Sequence, residues 1–377
     1  MECDLTVSEL FQAYYDCRKA KRNTWNAIKF EENLERNLMD LYYELKDGTY
    51  VIGKSICFVV TKPKVREVWA ADFRDRIVHH LLYNRYSKKF HNSFIHDSYA
   101  CIPNKGTLKA SLRTERFMRS VSQNYTKESW FLKADIANFF VSIDKTILER
   151  LLMKKITNQW WMNLTRQILF HNPKDNVFIK SSHELLSKVP PHKSLLNSPK
   201  DFGLPIGNLS SQFFANIYLN ELDQYMKHTL NMKYYLRYVD DIVIFSNSPK
   251  ELNDVYDKMK EFVSLHLSLK FHDKKKELNV IECGVNFVGY IIKPYRKYIR
   301  RSTINNMKIS FHNKSPEDII KTINSYFGLL RAVNGYKERL GISRILGRSK
   351  FNPTLTKMYT LNRKIISFIP PISLCCH

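Results

Sequence analysis

Tyr234-Tyr235-Leu236-Arg237-Tyr238-Val239-Asp240-Asp241-Ile242-Val243-Ile244-Phe245 sets two adjacent carboxylates between two runs of β-formers. The flanking runs Tyr234-Tyr235-Leu236-Arg237 and Ile242-Val243-Ile244-Phe245 read as strands, and the tetrapeptide between them as a tight turn. Adjacent carboxylates among apolar residues are costly unless a cation neutralises them. A turn joining two strands would hold Asp240 and Asp241 near the surface, close enough to bind a divalent metal. Asp-Asp pairs also occur in plain exposed turns, so the rest of the chain must decide between the two.

A second carboxylate element lies upstream, in Phe131-Leu132-Lys133-Ala134-Asp135-Ile136-Ala137-Asn138-Phe139-Phe140. It reads as a strand that ends at a single acid and continues into two phenylalanines. Nucleotidyl transfer uses two metal ions about 3.5–4 Å apart, one at the attacking hydroxyl and one at the leaving pyrophosphate. Oxygen ligands suit Mg²⁺, and Asp135 with Asp240 and Asp241 would supply them from separate strands. Asp135 could alternatively cap its strand and nothing more.

Taken in order, these segments resemble the motifs of a reverse transcriptase. The stretch around Asp135 resembles polymerase motif A, and Tyr238-Val239-Asp240-Asp241 resembles motif C. Gly203-Leu204-Pro205-Ile206-Gly207-Asn208-Leu209-Ser210-Ser211-Gln212 between them is similar to motif B, and Asn286-Phe287-Val288-Gly289-Tyr290 to the hairpin that grips the primer. The resemblance implies an α+β right-hand polymerase with fingers, a palm of antiparallel sheet plus helices, and a helical thumb. It divides the chain into an N-terminal helical segment (1–48), fingers and palm (49–295), and thumb with a basic tail (296–377). It also implies that Asp135, Asp240 and Asp241 are catalytic and hold two Mg²⁺ ions, aided by the backbone carbonyl of Ile136.

Further stretches are similar to the reverse transcriptases of diversity-generating retroelements. They are Ile206-Gly207-Asn208-Leu209-Ser210-Ser211-Gln212, Pro191-His192-Lys193-Ser194-Leu195-Leu196-Asn197, Ala70–His80, Asp97-Ser98-Tyr99-Ala100-Cys101 and Ser325-Tyr326-Phe327-Gly328-Leu329-Leu330-Arg331. The likeness covers roughly residues 10–345 and carries no signature in the last thirty. It implies copying of the element's own template RNA into mutated cDNA, through an RNA/DNA hybrid and from deoxynucleoside triphosphates. An accessory oligomeric protein of the element is the implied partner. Retron, group II intron and phage-defence reverse transcriptases are the alternatives, though they commonly read Gln-Gly where this chain has Ile206-Gly207. A catalytically silent RNA-binding scaffold is the alternative of a different class.

Other site residues follow from the same alignment. Lys64 and Arg66, at a basic hairpin tip, are assigned to the incoming triphosphate, since the Arg fork matches phosphate oxygens. Phe140 would be the steric gate that excludes a ribose 2′-hydroxyl. Strand-like alternation would send Phe139 and Phe140 to opposite sides. Ile206 stands where the retroviral pattern has glutamine, and losing that amide weakens discrimination between correct and incorrect pairs. This implies low fidelity opposite template adenine. Gly207, lacking Cβ, would let backbone approach a base or sugar. Asn208, Ser211 and Gln212 are assigned to template, with Ser211 and Gln212 placed ahead of the helix body. Gly289 and Tyr290 are assigned to the primer. Among Lys274, Lys275 and Lys276, after a short helix at motif D, Lys275 is the candidate general acid.

Composition agrees. Sixty Lys and Arg against thirty-six Asp and Glu give +24, which favours a polyanionic partner and salt-sensitive binding. Hydrophobic residues at 44% suffice for a core, and aromatics at 13% supply stacking surface for single-stranded template as well. No apolar run reaches a membrane span of about 18 residues, and the polar start is unlike a secretory signal. Seven cysteines without a C-x-x-C pair point to reduced thiols, and the twelve histidines show no zinc spacing. The expected setting is the cytoplasm of a bacterial, archaeal or phage-infected host.

Along the chain, residues 5–45 read as helical and 49–72 as a hairpin in which Tyr50-Val51-Ile52-Gly53 is part of the first strand. Residues 73–90 read as an amphipathic helix with Ile77, Leu81 and Leu82 inward. The proline-containing region 147–200 reads as an insertion within fingers and palm, 209–230 as a helix, and 315–345 as a basic helical thumb.

Overall fold

The computed structural model describes residues 3–19, 24–62, 64–310, 316–330, 332–336 and 338–340. The chain begins with α1 (Val7–Arg18), α2 (Trp25–Glu31) and α3 (Leu34–Asp47), then the hairpin β1 (Ser55–Val60) and β2 (Arg66–Ala70). Helices α4 (Phe73–His91) and α5 (Thr107–Val121) lead to β3 (Trp130–Asp135), α6 (Phe139–Ser142), α7 (Lys145–Met153) and α8 (Gln159–Phe170). Next come β4 (Val177–Ile179), α9 (His183–Ser187), α10 (Leu209–Gln224), β5 (Tyr235–Tyr238), β6 (Asp241–Ser246) and α11 (Pro249–Leu267). The described chain closes with β7 (Glu277–Val280), β8 (Val285–Phe287), β9 (Tyr290–Lys293), β10 (Arg296–Ile299), α12 (Arg301–Ile309) and α13 (Pro316–Leu330).

Helix ends follow local chemistry. Thr6 and Glu9 form a reciprocal capping box that starts α1. Gly48, left-handed at φ +74°, stops α3. Asp72, Asp144 and Ser248 each accept a backbone N–H at the start of α4, α7 and α11.

The described residues fall into two compact units, 3–110 with 129–279 and 111–128 with 280–340. In the first, α1 packs along α4, so the N-terminal helices share its core instead of standing as a separate segment. Its larger sheet has the order β5-β6-β3-β7, and β3 pairs antiparallel with β6 from Trp130↔Ser246 to Asp135↔Asp241. Phe131, Leu132, Ala134 and Ile242 through Phe245 are at most 1% exposed. Burying each of the larger ones stabilises the fold by about 1.5–3 kcal/mol. That is why the strands read as continuous apolar runs. Helix α11 packs on β3 and β6, and α10 on α4, α7 and α11.

The smaller sheet of this unit has the order β2-β1-β4, with β1 and β2 antiparallel and β4 parallel to β1. Region 147–200 therefore contributes a strand to the fingers sheet. Tyr50–Gly53 lies outside the hairpin, contrary to the sequence expectation: the Tyr50 hydroxyl (2.7 Å) and the Gly53 N–H (2.9 Å) both donate to Asp75. The segment is an anchor to α4. That helix buries Asp75 and His79 as well as Ile77 and Leu81, so a single apolar stripe does not describe it.

In the second unit β8, β9 and β10 form an antiparallel meander. Lys297 is buried there against Glu115 (3.1 Å) and Ser111 (3.4 Å), which joins 111–128 to the meander. The expected boundary at 295/296 thus falls inside this unit. Arg331 and residues 341–377 lie outside the described residues. No described helix is long and apolar enough to cross a membrane.

Candidate active site

The register of β5, β6 and β3 sets the acids. Tyr238 pairs with Asp241, leaving Val239 and Asp240 as a two-residue hairpin loop, and Asp241 pairs with Asp135 across the sheet. Val239 is left-handed at φ +56°, which a two-residue hairpin loop demands and a β-branched residue resists. Asp135 is 9% exposed, while Asp240 and Asp241 are half-buried. Burial first, then the neighbouring Asp135 and Asp241 charges, pushes the Asp240 carboxyl up to about 7. Lys275 forms an ion pair with Asp135, and Lys133 Nζ lies 4.0 Å from Asp241.

Two carboxylates on adjacent strands and a third on the adjoining turn form an all-oxygen donor set that fits Mg²⁺. The repulsion felt by Asp240 is what a bound cation would relieve. Among the described residues no three His, Cys, Asp or Glu side chains converge tightly enough to cage a metal on their own; Asp135 is engaged by lysine instead. Ile136 forms an isolated bridge with Phe271, made by Ala137 N–H to Lys270 (2.8 Å) and His272 N–H to Asp135 (2.8 Å). Neither bond uses the Ile136 carbonyl.

The segment from Gly203 to Asn208 is pinned on both sides. Gly203 N–H donates to Ile143 (2.8 Å) and Leu204 N–H to Phe140 (2.7 Å), while Trp69 N–H donates to Ile206 (2.7 Å). Gly207 sits at φ +129°, and a Cβ there would meet the Trp69 carbonyl oxygen at 2.8 Å. The close approach that needs glycine is therefore to strand β2 of the protein itself. The Asn208 side chain accepts from Ala71 N–H (3.0 Å) and is buried. The fingers hairpin is thus rooted on this segment, with Lys64 and Arg66 exposed at its far end and Pro63 outside the described residues.

These elements lie within a match to the family model of reverse transcriptase (RNA-dependent DNA polymerase), which spans residues 60–292, more than half of the chain. The chain belongs to the reverse transcriptase family. The group II intron-encoded protein LtrA of Lactococcus lactis is 22% identical over 89% of this chain and 54% of its own length. A COX1/OXI3 intron 2 protein of Saccharomyces cerevisiae is 21% identical over 59% of this chain and 30% of its own. The chain thus spans about half or less of the curated relatives it matches. Among solved structures, telomerase of Candida albicans with a TWJ fragment of telomeric RNA aligns at TM-score 0.49 and 9% identity, over 84% of this chain and 58% of that one.

For a reverse transcriptase the remaining assigned residues divide unevenly. Phe139 and Phe140 lie on the helical turn α6, not on a strand: Phe139 is core and Phe140 half-buried against it, their rings 5.4 Å apart. Ile206 is half-buried. Helix α10 starts at Leu209, so Ser211 and Gln212 lie within it; Ser211 is 2% exposed, and only Gln212 of the pair reaches solvent. Nearly every face of α10 is covered, which hides Ser211 from a reading by periodicity.

The lysines of motif D follow the long helix α11 rather than a short one. Lys275 reaches Asp135, while Lys276 donates to Asn253 (2.7 Å) and covers the Tyr256 ring. In the second unit Val288 and Gly289 have positive φ and turn β8 into β9, as a two-residue hairpin loop requires. The Tyr290 ring is 3% exposed and faces its core. Of 325–331, residues 325–330 are helical in α13 and Arg331 lies outside the described residues.

Sequence reading passed over Arg237 and Asp223. Both side chains are fully buried and ion-paired at 2.6 Å, with the Tyr235 hydroxyl donating to Asp223 (2.7 Å). A charged residue in a strand beside an acid motif was the available signal, since such a charge is buried only when paired. The segment Asp97–Tyr99 lies along β5, with Arg237 N–H donating to Asp97 and Tyr99 N–H to Arg237, both 3.0 Å.

Proposed function

We propose that this chain is an RNA-directed DNA polymerase that extends a primer 3′-hydroxyl on an RNA template with deoxynucleotides. The register pair Asp135–Asp241, with Asp240 on the adjoining turn, supports this most directly. Asp135, Asp240, Asp241 and the Ile136 carbonyl would hold the divalent cations. Bound there, two such ions supply charge to the attacking hydroxyl and the leaving pyrophosphate. The protein's own part is positioning. Lys64 and Arg66 bind the triphosphate from the hairpin tip, Phe140 screens the sugar, and Lys275, already beside Asp135, donates a proton to the departing pyrophosphate. Gln212 meets template, and the hairpin turn at Gly289 carries the primer strand.

The subtype we infer is the diversity-generating retroelement enzyme, copying its element's RNA with errors at template adenine and assisted by an oligomeric accessory protein. Ile206 supports it, because a half-buried aliphatic side chain offers the nascent pair no amide hydrogen bond. The similarity to LtrA supports a second reading, an accurate group II intron-like enzyme. Primer extension on RNA with Mg²⁺ and all four deoxynucleotides, with sequenced products, separates them. Synthesis that Asp240→Asn lowers by roughly a thousandfold or more, with errors concentrated at adenine, supports the first. Evenly accurate synthesis supports the second. Mg²⁺-independent RNA binding without synthesis would leave only a scaffold.

A further inference from the structure

Five N–H groups leave an arginine guanidinium, and in Arg237 all five have acceptors. Nε donates to Asp223 Oδ1 (2.8 Å) and one terminal nitrogen to Asp223 Oδ2 (2.6 Å) and Ser98 Oγ (3.2 Å). The other donates to Asn216 Oδ1 (3.3 Å) and to the Val239 carbonyl (2.9 Å). The bidentate clamp on Asp223 alone satisfies the requirement that a buried charge be paired. The bond to Val239 is a different matter. It grips the peptide that joins Val239 to Asp240, at the left-handed residue of the turn. Two-residue hairpin loops ordinarily place glycine at such a position, and a β-branched residue persists there only when its surroundings over-determine it.

We propose that Arg237 is a positioning residue for the polymerase reaction: by holding the Val239 carbonyl it keeps the turn in the conformation that aims the Asp240 carboxylate at Asp135. This rests on Asp240 being a metal-holding acid. The platform behind Arg237 is rigid. Asn216 and Asp223 come from α10, and Asn216 Nδ2 is itself fixed on the Ala100 carbonyl (2.8 Å). Lysine cannot replace the device, since one ammonium has three donors and no planar fork.

The test removes the device while sparing the fold. Replacing the pair together, Arg237→Met with Asp223→Leu, leaves no uncompensated buried charge, an exchange that is often neutral or stabilising. We expect melting close to wild type, a kcat lowered on the order of ten- to a hundredfold, a raised Mg²⁺ half-saturation and an unchanged KM for primer–template. Adding Val239→Gly should restore much of the lost rate, because glycine takes φ +56° without help. A structural role for the pair would show neither the Mg²⁺ shift nor the rescue. Wild-type kcat and Mg²⁺ dependence in the folded double variant, or no rescue by glycine, overturns the proposal. Should that variant not fold, Arg237→Lys with and without Val239→Gly is decided by the same rescue. Asp240→Asn run in parallel separates the two claims: activity there removes the assignment of Asp240 itself, whereas its loss beside an unaffected pair variant removes only the role of Arg237.

Discussion

The hairpins β5–β6 and β1–β2 share a topology and carry opposite charges at their turns, yet they are held in opposite ways. The acidic turn at Val239–Asp240 is gripped from below by a buried guanidinium with five acceptors. The basic end at Lys64 and Arg66 is exposed, fixed by its ladder and by its root at Ile206–Asn208. Carboxylates that must meet within a few ångströms need walls, because they repel one another without them. Cations proposed to meet a diffusing triphosphate need reach. One hairpin is preorganised at its tip and the other at its base.

The base offers the strongest way to break this contrast. Gly207→Ala puts a Cβ 2.8 Å from the Trp69 carbonyl oxygen at φ +129°, which should cost about 1–3 kcal/mol. Thermal melting and primer extension should fall together, and unchanged melting would mean that the hairpin is not rooted there. Next is the beam between the hairpins, α4, which runs from the fingers root to pack on α10. Its His79 is buried, with Nδ1 unpartnered, and desolvation lowers its pKa to about 3. In the folded chain His79 stays neutral where the unfolded chain would protonate it. Stability should therefore be complete above pH 6.5 and be lost as pH falls toward 3, by up to about 1.4 kcal/mol per unit. His91 and His171 shift in the same direction. Urea melts from pH 7 to pH 4 should show that slope, shallower in His79→Leu; equal slopes would remove His79 as the source. The smallest effect belongs to the tip. Lys64→Ala and Arg66→Ala should each raise KM for deoxynucleotide about three- to tenfold, with melting unchanged. A melting shift there would make the tip structural.

What the sequence made legible was local. Apolar β-forming runs placed β3, β5 and β6, and the resemblance of Asn286–Tyr290 to a known motif placed the second-unit hairpin. What it hid was long-range or isotropic. Asn208 was assigned to template, and only folding brings its side chain to the Ala71 N–H. Gly207 gives no sign in the sequence of the Trp69 backbone that a Cβ there would meet. Phe139 and Phe140 looked like strand residues because an apolar run gives no sign of where a strand becomes a single helical turn. Arg237 sat within the motif that decided the fold, yet four of its five acceptor atoms come from two other segments, α10 and the stretch at Ser98.

The parallel pairing of β4 with β1 sets a timetable for biosynthesis. The β1–β2 hairpin is complete once residue 70 has emerged, but the strand that covers its other edge ends at Ile179. Until the ribosome has released that stretch, Ser55–Cys57 presents an open strand edge, the kind of surface on which nascent chains pair wrongly. The fingers sheet can close once residue 179 is made, whereas β3 must wait for β6 and β7, so this sheet is complete before the one that carries the acids.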